Sequence, residues 1–239
     1  MPNPYFRFKQ FAVYHDLCAM KVGIDGVLLG AWTPVLKSDQ NILDIGTGSG
    51  LIALMLAQRT EEAHIDAIDT DAGAVKQAQI NVNASKWNDR IEVYHQSLEE
   101  YAARNTRRYD LIVSNPPFFV SSLKAPNQAR SMARHAGPLT HQQWLAYATQ
   151  MIKKTGRICF ILPVVEGLKC MEYAHELELF CYQSVYVHPK PGAAAKRLLL
   201  EFGFSKREMQ VSALTVETEN RHQYSNEFTT LVKDFYLKL

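Results

Sequence analysis

The stretch "NILDIGTGSGLIALMLAQRT", residues 41–60, decides the fold. Asn41 to Gly46 is a short apolar run closed by glycine, which predicts a buried strand. From Ser49 to Thr60 the apolar residues fall at helical spacing, which predicts a helix. Between them Asp44, Gly46, Gly48 and Gly50 spell D-x-G-x-G-x-G. Glycines at a strand-to-helix turn let the chain reverse tightly and let a ligand approach the backbone closely. The dinucleotide fingerprint G-x-G-x-x-G would ask for glycine at position 51, which is Leu51. With no pyrophosphate to bind, Asp44 can face a cationic ligand.

The same alternation continues outward. "HIDAID" (64–69), "IEVYHQ" (91–96), "YDLIVSN" (109–115) and "GRICFILP" (156–163) read as further strands. "AGAVKQAQINVNAS" (72–85) and "THQQWLAYATQMIKK" (140–154) read as helices. Repeated β-α-β with apolar strands implies an α/β fold, a mostly parallel sheet covered by helices on both faces. "CYQSVYVH" (181–188) and "RLLLEFGF" (197–204) are joined without a helix, which predicts an antiparallel hairpin at the C-terminal edge of a seven-stranded sheet. There is no internal repeat or linker, so residues 1–239 are expected to form one domain.

At 47% hydrophobic and 21% charged residues, the chain has the composition of a soluble globular protein. Cys18, Cys159, Cys170 and Cys181 are scattered without a C-x-x-C pair, which favours free thiols over a metal site or a disulfide framework. The N-terminus lacks an apolar leader and no run reaches the ~20 apolar residues of a membrane span, so a cytoplasmic protein is expected. Charge is unevenly spread. Residues 1–119 carry 11 Lys/Arg against 14 Asp/Glu, and residues 120–239 carry 15 against 10. No acid occurs between Asp110 and Glu166, whereas Lys124, Arg130, Arg134, Lys153, Lys154 and Arg157 do. A one-sided basic stretch beside a pocket suits a polyanionic partner.

The glycine pattern resembles motif I of class I S-adenosylmethionine-dependent methyltransferases, and the chemistry of the other candidates agrees. Asp69 ends the second strand, where a carboxylate accepts hydrogen bonds from both hydroxyls of a ribose. Asp71 reads more simply as a helix N-cap. In such enzymes an Asp after the third strand often holds the cofactor's adenine, and here Ser97 occupies that place. After the fourth strand stands "NPPF": Asn115, Pro116, Pro117 and Phe118. It resembles the (D/N)-P-P-(Y/F) signature of enzymes that methylate planar amines or amides. The Asn115 oxygen and the Pro116 carbonyl can each accept one amine hydrogen, the prolines keep them rigid, and Phe118 can stack on a base, with Phe119 as the alternative ring.

"FKQFAVYHDLCAMKVGIDGVLLGAW" (8–32), "DIGTGSGLIALMLAQRT" (44–60), "ASKWNDRI" (84–91) and "YSNEFTTLVKDFYL" (224–237) resemble bacterial tRNA1(Val) adenine N6-methyltransferases. The resemblance implies a class I methyltransferase fold, S-adenosyl-L-methionine as cofactor, and a tRNA substrate methylated on the adenine immediately 3′ of the anticodon. It also implies that residues 1–32 cover the cofactor site and that Lys21, Asp25 and Gly26 line its methionine side. Arg130, Arg134, Lys153 and Lys154 are the expected phosphate contacts, followed by Lys190, Lys196 and Arg197 on the loop between the last two strands. Methylation of an rRNA guanine or a protein glutamine, and a silent RNA-binding module, stay open.

Overall fold

The computed structural model describes residues 3–117, 139–220 and 223–238. An N-terminal hairpin, β1 (Tyr5–Arg7) and β2 (Ala12–Tyr14), precedes α1 (Ile24–Trp32). The alternating unit follows: β3 (Asn41–Ile45), α2 (Leu51–Arg59), β4 (His64–Asp69), α3 (Ala72–Asn83), β5 (Ile91–His95), α4 (Leu98–Arg104) and β6 (Tyr109–Ser114). Then come α5 (His141–Met151), β7 (Ile152–Pro163), α6 (Val164–Glu176), β8 (Phe180–His188), β9 (Arg197–Gly203), β10 (Gln210–Thr215) and α7 (Asn226–Val232).

The main sheet has the order β10-β8-β9-β7-β6-β3-β4-β5. β3 lies between β4 and β6 and is parallel to both, while β9 runs antiparallel to its neighbours β7 and β8. The expected class of fold is present, with two corrections. The β8–β9 pair is not the edge, because β10 adds an eighth strand parallel to β8. Only Leu214 of β10 is buried, so its sequence lacks the apolar signal of an inner strand. The second correction moves a boundary: β7 begins at Ile152, paired with Tyr109, so α5 stops at Met151 and Lys153 and Lys154 are strand residues.

Side chains alternate along the strands and supply two cores. Ile42, Leu111, Val113, Cys159 and Leu199 pack with α1, α2 and α7 on one face. Leu43, Ile45, Ile112, Ile158 and Phe160 pack with α4, α5 and α6 on the other. Several helix starts are capped by side chains. Asp71 accepts from the Ala74 amide at 2.7 Å, and Ser97 with Glu100 and Thr140 with Gln143 form reciprocal capping boxes.

Charged side chains are also buried within the sheet, Asp66 among them. Asp66 of β4 is 2% exposed, and its carboxylate accepts from Tyr109 Oη at 2.6 Å, from Tyr101 Oη at 2.9 Å and from Arg107 Nη1 at 2.8 and 2.9 Å. A buried carboxylate is tolerable only when its lone pairs are filled in this way. Tyr109→Phe removes one donor to a charged acceptor and is expected to cost about 1.5–3 kcal/mol of stability by urea unfolding. An unchanged midpoint would mean that Tyr101 and Arg107 satisfy Asp66 by themselves.

Candidate active site

Strand order reverses between β3 and β6: β4 and β5 lie to one side, β7 and its neighbours to the other. At such a point, outside the carboxyl ends of the strands, open α/β sheets bind ligands. A cavity of about 1140 Å³ opens there. That exceeds the roughly 300–1,000 Å³ of a single small-molecule pocket, so it has room for a cofactor and a second planar group.

The turn after β3 forms its floor. Gly46 (φ 71°) and Gly48 (φ 56°) are in the left-handed region, which glycine adopts without strain. A Cβ on Gly48 would meet nothing within 4 Å, so this backbone faces open cavity. A Cβ on Gly46 would lie 3.1 Å from the Trp144 ring, which packs against the turn and also lines the cavity. Asp69 locks the turn: Oδ2 accepts from the Gly48 amide at 2.8 Å and Oδ1 from the Asp71 amide at 2.9 Å. Its carboxylate is half-buried and lines the cavity, with lone pairs left to meet a sugar hydroxyl. Asp44, expected to face the ligand, instead lies wholly buried beneath the turn. Its Oδ2 accepts from Thr47 Oγ1 at 2.7 Å, and its Oδ1 has no partner among the described residues. Burial raises its pKa to about 7, and the charge of Asp69 adds to the rise.

Asn115 and Pro117 bring the second expected constellation into the same cavity. Asn115 Oδ1 is buried without a hydrogen-bond partner among the described residues. Leaving such an acceptor unpaired costs about 1–3 kcal/mol, and Asn115 stands where a ligand in the cavity can reach it. Pro116 is buried next to it. Phe118, Phe119, Lys124, Arg130 and Arg134 lie outside the described residues. Ser97 lines the cavity where expected, although its hydroxyl and amide are also engaged in capping α4.

Other expected residues stand elsewhere. Lys21, Asp25 and Gly26 do not line the cavity: Lys21 is exposed, Asp25 pairs with Arg197 at 2.9 Å, and Gly26 packs on Leu51 behind the turn. Lys153 and Lys154 begin β7, at the end of the sheet opposite the cavity, about 17 Å away along β6. Lys153 is bound to Asp110 at 2.8 Å, and Lys154 lies over the Phe204 ring at 4.1 Å. Arg157 is buried against Asp39 at 2.6 Å. These three therefore do not form a basic rim. Lys190 and Lys196, exposed on the loop before β9, are at the cavity's end, because Arg197 pairs with Pro163 at the carboxyl end of β7.

The structure also brings in residues that sequence reasoning missed. Cys18, Ala19 and Met20 form one wall, and Gln143 and Tyr147 of α5 join Trp144 in another. His141, at the start of α5, interacts with the Pro117 backbone, and burial holds its pKa below the ordinary histidine value. No sequence motif marks these positions, since the segment before β3 and helix α5 reach the site only through tertiary packing. Among the described residues no cluster could hold a metal ion, all four cysteines are free, and no helix is long and apolar enough to cross a membrane.

Residues 27–162 match the family model for the methyltransferase small domain. A predicted O-methyltransferase from Agrobacterium tumefaciens superposes with a TM-score of 0.71 at 16% identity, over 88% of this chain and 96% of that one. Fold and site define a class I methyltransferase. The tRNA1(Val) (adenine(37)-N6)-methyltransferases of Parabacteroides distasonis and Phocaeicola vulgatus are each 48% identical to it, over 100% of both chains. The chain belongs to the tRNA1(Val) (adenine(37)-N6)-methyltransferase family.

The raised pKa of Asp44 has a definite sign. The folded state holds the proton up to about pH 7, whereas the unfolded chain releases it near the ordinary carboxylate value. The unfolded state therefore binds fewer protons in between, so stability falls as pH rises from ~4 to ~7 and is level above that. A cationic ligand at the turn favours the ionised form, so its binding should tighten from pH 6 to pH 8 with proton release, measured by calorimetry in two buffers. Asp44→Asn should abolish that pH dependence. Its persistence in the variant would assign the titration to another group.

Proposed function

We propose that this chain transfers a methyl group from S-adenosyl-L-methionine to the exocyclic N6 of adenine 37 of tRNA1(Val), immediately 3′ of the anticodon. The observation that carries this reading is the unpaired buried oxygen of Asn115 in a cavity whose other side presents a glycine turn and a ribose-competent carboxylate. The full-length likeness to enzymes named for that reaction supports the choice of base. When bound, the cofactor supplies an electrophilic methyl on a sulfonium centre. Gly48 and Asp69 would hold its nucleoside part, with Ser97 near the base and Asp44 adding negative charge beneath the turn.

The acceptor nitrogen needs help because its lone pair is delocalised into the ring. Asn115 Oδ1 and the Pro116 carbonyl each accept one amine hydrogen, which fixes the nitrogen in the plane of the two acceptors and turns its lone pair toward the methyl. The same acceptors stabilise the positive charge that grows on nitrogen as the bond forms. No strong base is required, since the proton leaves only after the nitrogen has become cationic. A 37-type base lies in a single-stranded loop, so little pairing energy opposes its entry.

Asn115→Ala is expected to bind cofactor normally and to lose on the order of 10²-fold or more in single-turnover methylation of tRNA. Turnover within a few-fold of the wild type would remove Asn115 from the amine-binding role. For the RNA, affinity should fall steeply with salt through released counterions. Lys190→Gln with Lys196→Gln should flatten that slope by about one unit per lost phosphate contact, while Lys153→Gln should leave it unchanged. The opposite pattern would place the RNA on the far end of the sheet.

A further inference from the structure

The segment from Tyr14 to Met20 crosses from the N-terminal hairpin to the cavity, where Cys18, Ala19 and Met20 form a wall. It is held onto α3 by two side chains that are each 1% exposed, Gln77 and Asn81. Asn81 uses its whole amide. Its Oδ1 accepts from the Tyr14 amide at 2.9 Å and its Nδ2 donates to the Tyr14 carbonyl at 2.8 Å, as a neighbouring strand would. The same Nδ2 donates to the Ser49 carbonyl at 2.8 Å, inside the glycine turn. Gln77 Oε1 accepts from the Leu17 amide at 3.0 Å, and Gly73 lets the strap come so near that a Cβ there would lie 2.7 Å from the Leu17 carbonyl. His15 closes the base of the strap, bonding the Asn3 carbonyl through Nε2 at 3.0 Å and accepting from the Val22 amide at 3.5 Å.

We infer that Asn81, which does not itself line the cavity, is the positioning residue that assembles the cofactor site by fastening the N-terminal strap to the glycine turn. The inference rests on the reading of this cavity as the S-adenosylmethionine site. The coupling is physical. If the strap leaves, Nδ2 loses one of its two acceptors and Oδ1 its donor. If the turn shifts, the Ser49 carbonyl is left buried without a partner, an outcome costly enough to hold both walls in place together. The strap also reaches the ribose side of the site. Burial raises the Cys18 thiol to about 11, and the next contributions come from Asp69 and Asp71, so the thiol is neutral and stands near those carboxylates. Asparagine is required because only an amide offers two donors and an acceptor in one plane. Aspartate of the same shape keeps the acceptor and loses both donors.

The test compares Asn81→Asp and Gln77→Met with the wild type, below the melting transition of each. It uses calorimetry with S-adenosylmethionine, steady-state tRNA methylation and hydrogen exchange. Asn81→Asp is expected to weaken cofactor affinity at least about ten-fold and to raise the cofactor KM by a similar factor. At saturating cofactor its kcat should stay within about three-fold, because the acceptor side is untouched. Exchange should quicken at residues 14–20 and stay slow at 111–113 and 158–162. Gln77→Met, which leaves Ser49 alone, should show the same pattern more weakly. Affinity within about two-fold of the wild type in both variants overturns the inference. So does a loss of affinity accompanied by lost protection in the central strands, which would make Asn81 a folding residue only. Calorimetry involves no RNA, so a wild-type chain that binds cofactor but leaves tRNA unmethylated would sink the substrate assignment and not this one.

Discussion

Two buried oxygens with no partner among the described residues stand at the ends of neighbouring parallel strands: Asp44 Oδ1 on β3 and Asn115 Oδ1 just beyond β6. The pairing of those strands puts them on either side of the point where strand order reverses, and everything else in the site is arranged around them. The cost of leaving each unpaired is carried by the apolar cores on both faces of the sheet. Asp69, Thr47 and Asn81 hold the glycine turn against one of them. The prolines fix the backbone beside the other, with His141 at the Pro117 end. Of the two, Asn115 lines the cavity, where a ligand's donor can reach it, whereas Asp44, sealed beneath the turn, acts on the cavity through its charge alone.

Charge is divided accordingly. Asp69, Asp71, Glu99 and Glu100 line the cavity, and among the described residues no Lys or Arg does. Among the described residues, such a field favours a cationic ligand over a phosphate. The exposed lysines on the same end, Lys190 and Lys196, lie beyond the rim on the loop before β9.

The strands and the turn were legible because parallel strands are apolar throughout and glycine punctuation is local. β10 was not, since an edge strand with one buried residue carries no periodic signal. The placement of Asp69 and Asn115 at the cavity could be read from strand ends, which topology alone brings to the point of reversal. Misplacement came where linear charge stood in for geometry. Lys153, Lys154 and Arg157 are close to the motif in sequence, but β7 carries Lys153 and Lys154 to the far end and turns Arg157 into a buried ion pair. The walls made by Cys18–Met20 and by Trp144 were invisible because they depend on contacts between segments more than 30 residues apart, such as Tyr14 with Asn81.

The most direct test of this account is the identity of the methylated product. The protein is incubated with labelled S-adenosylmethionine and, separately, unmodified total tRNA, total rRNA and a peptide release factor, and the products are digested and separated. The account predicts label in N6-methyladenosine from tRNA alone, mapping to position 37 of tRNA1(Val). Label in N2-methylguanosine from rRNA, or in methylated glutamine, with none in tRNA, would contradict it.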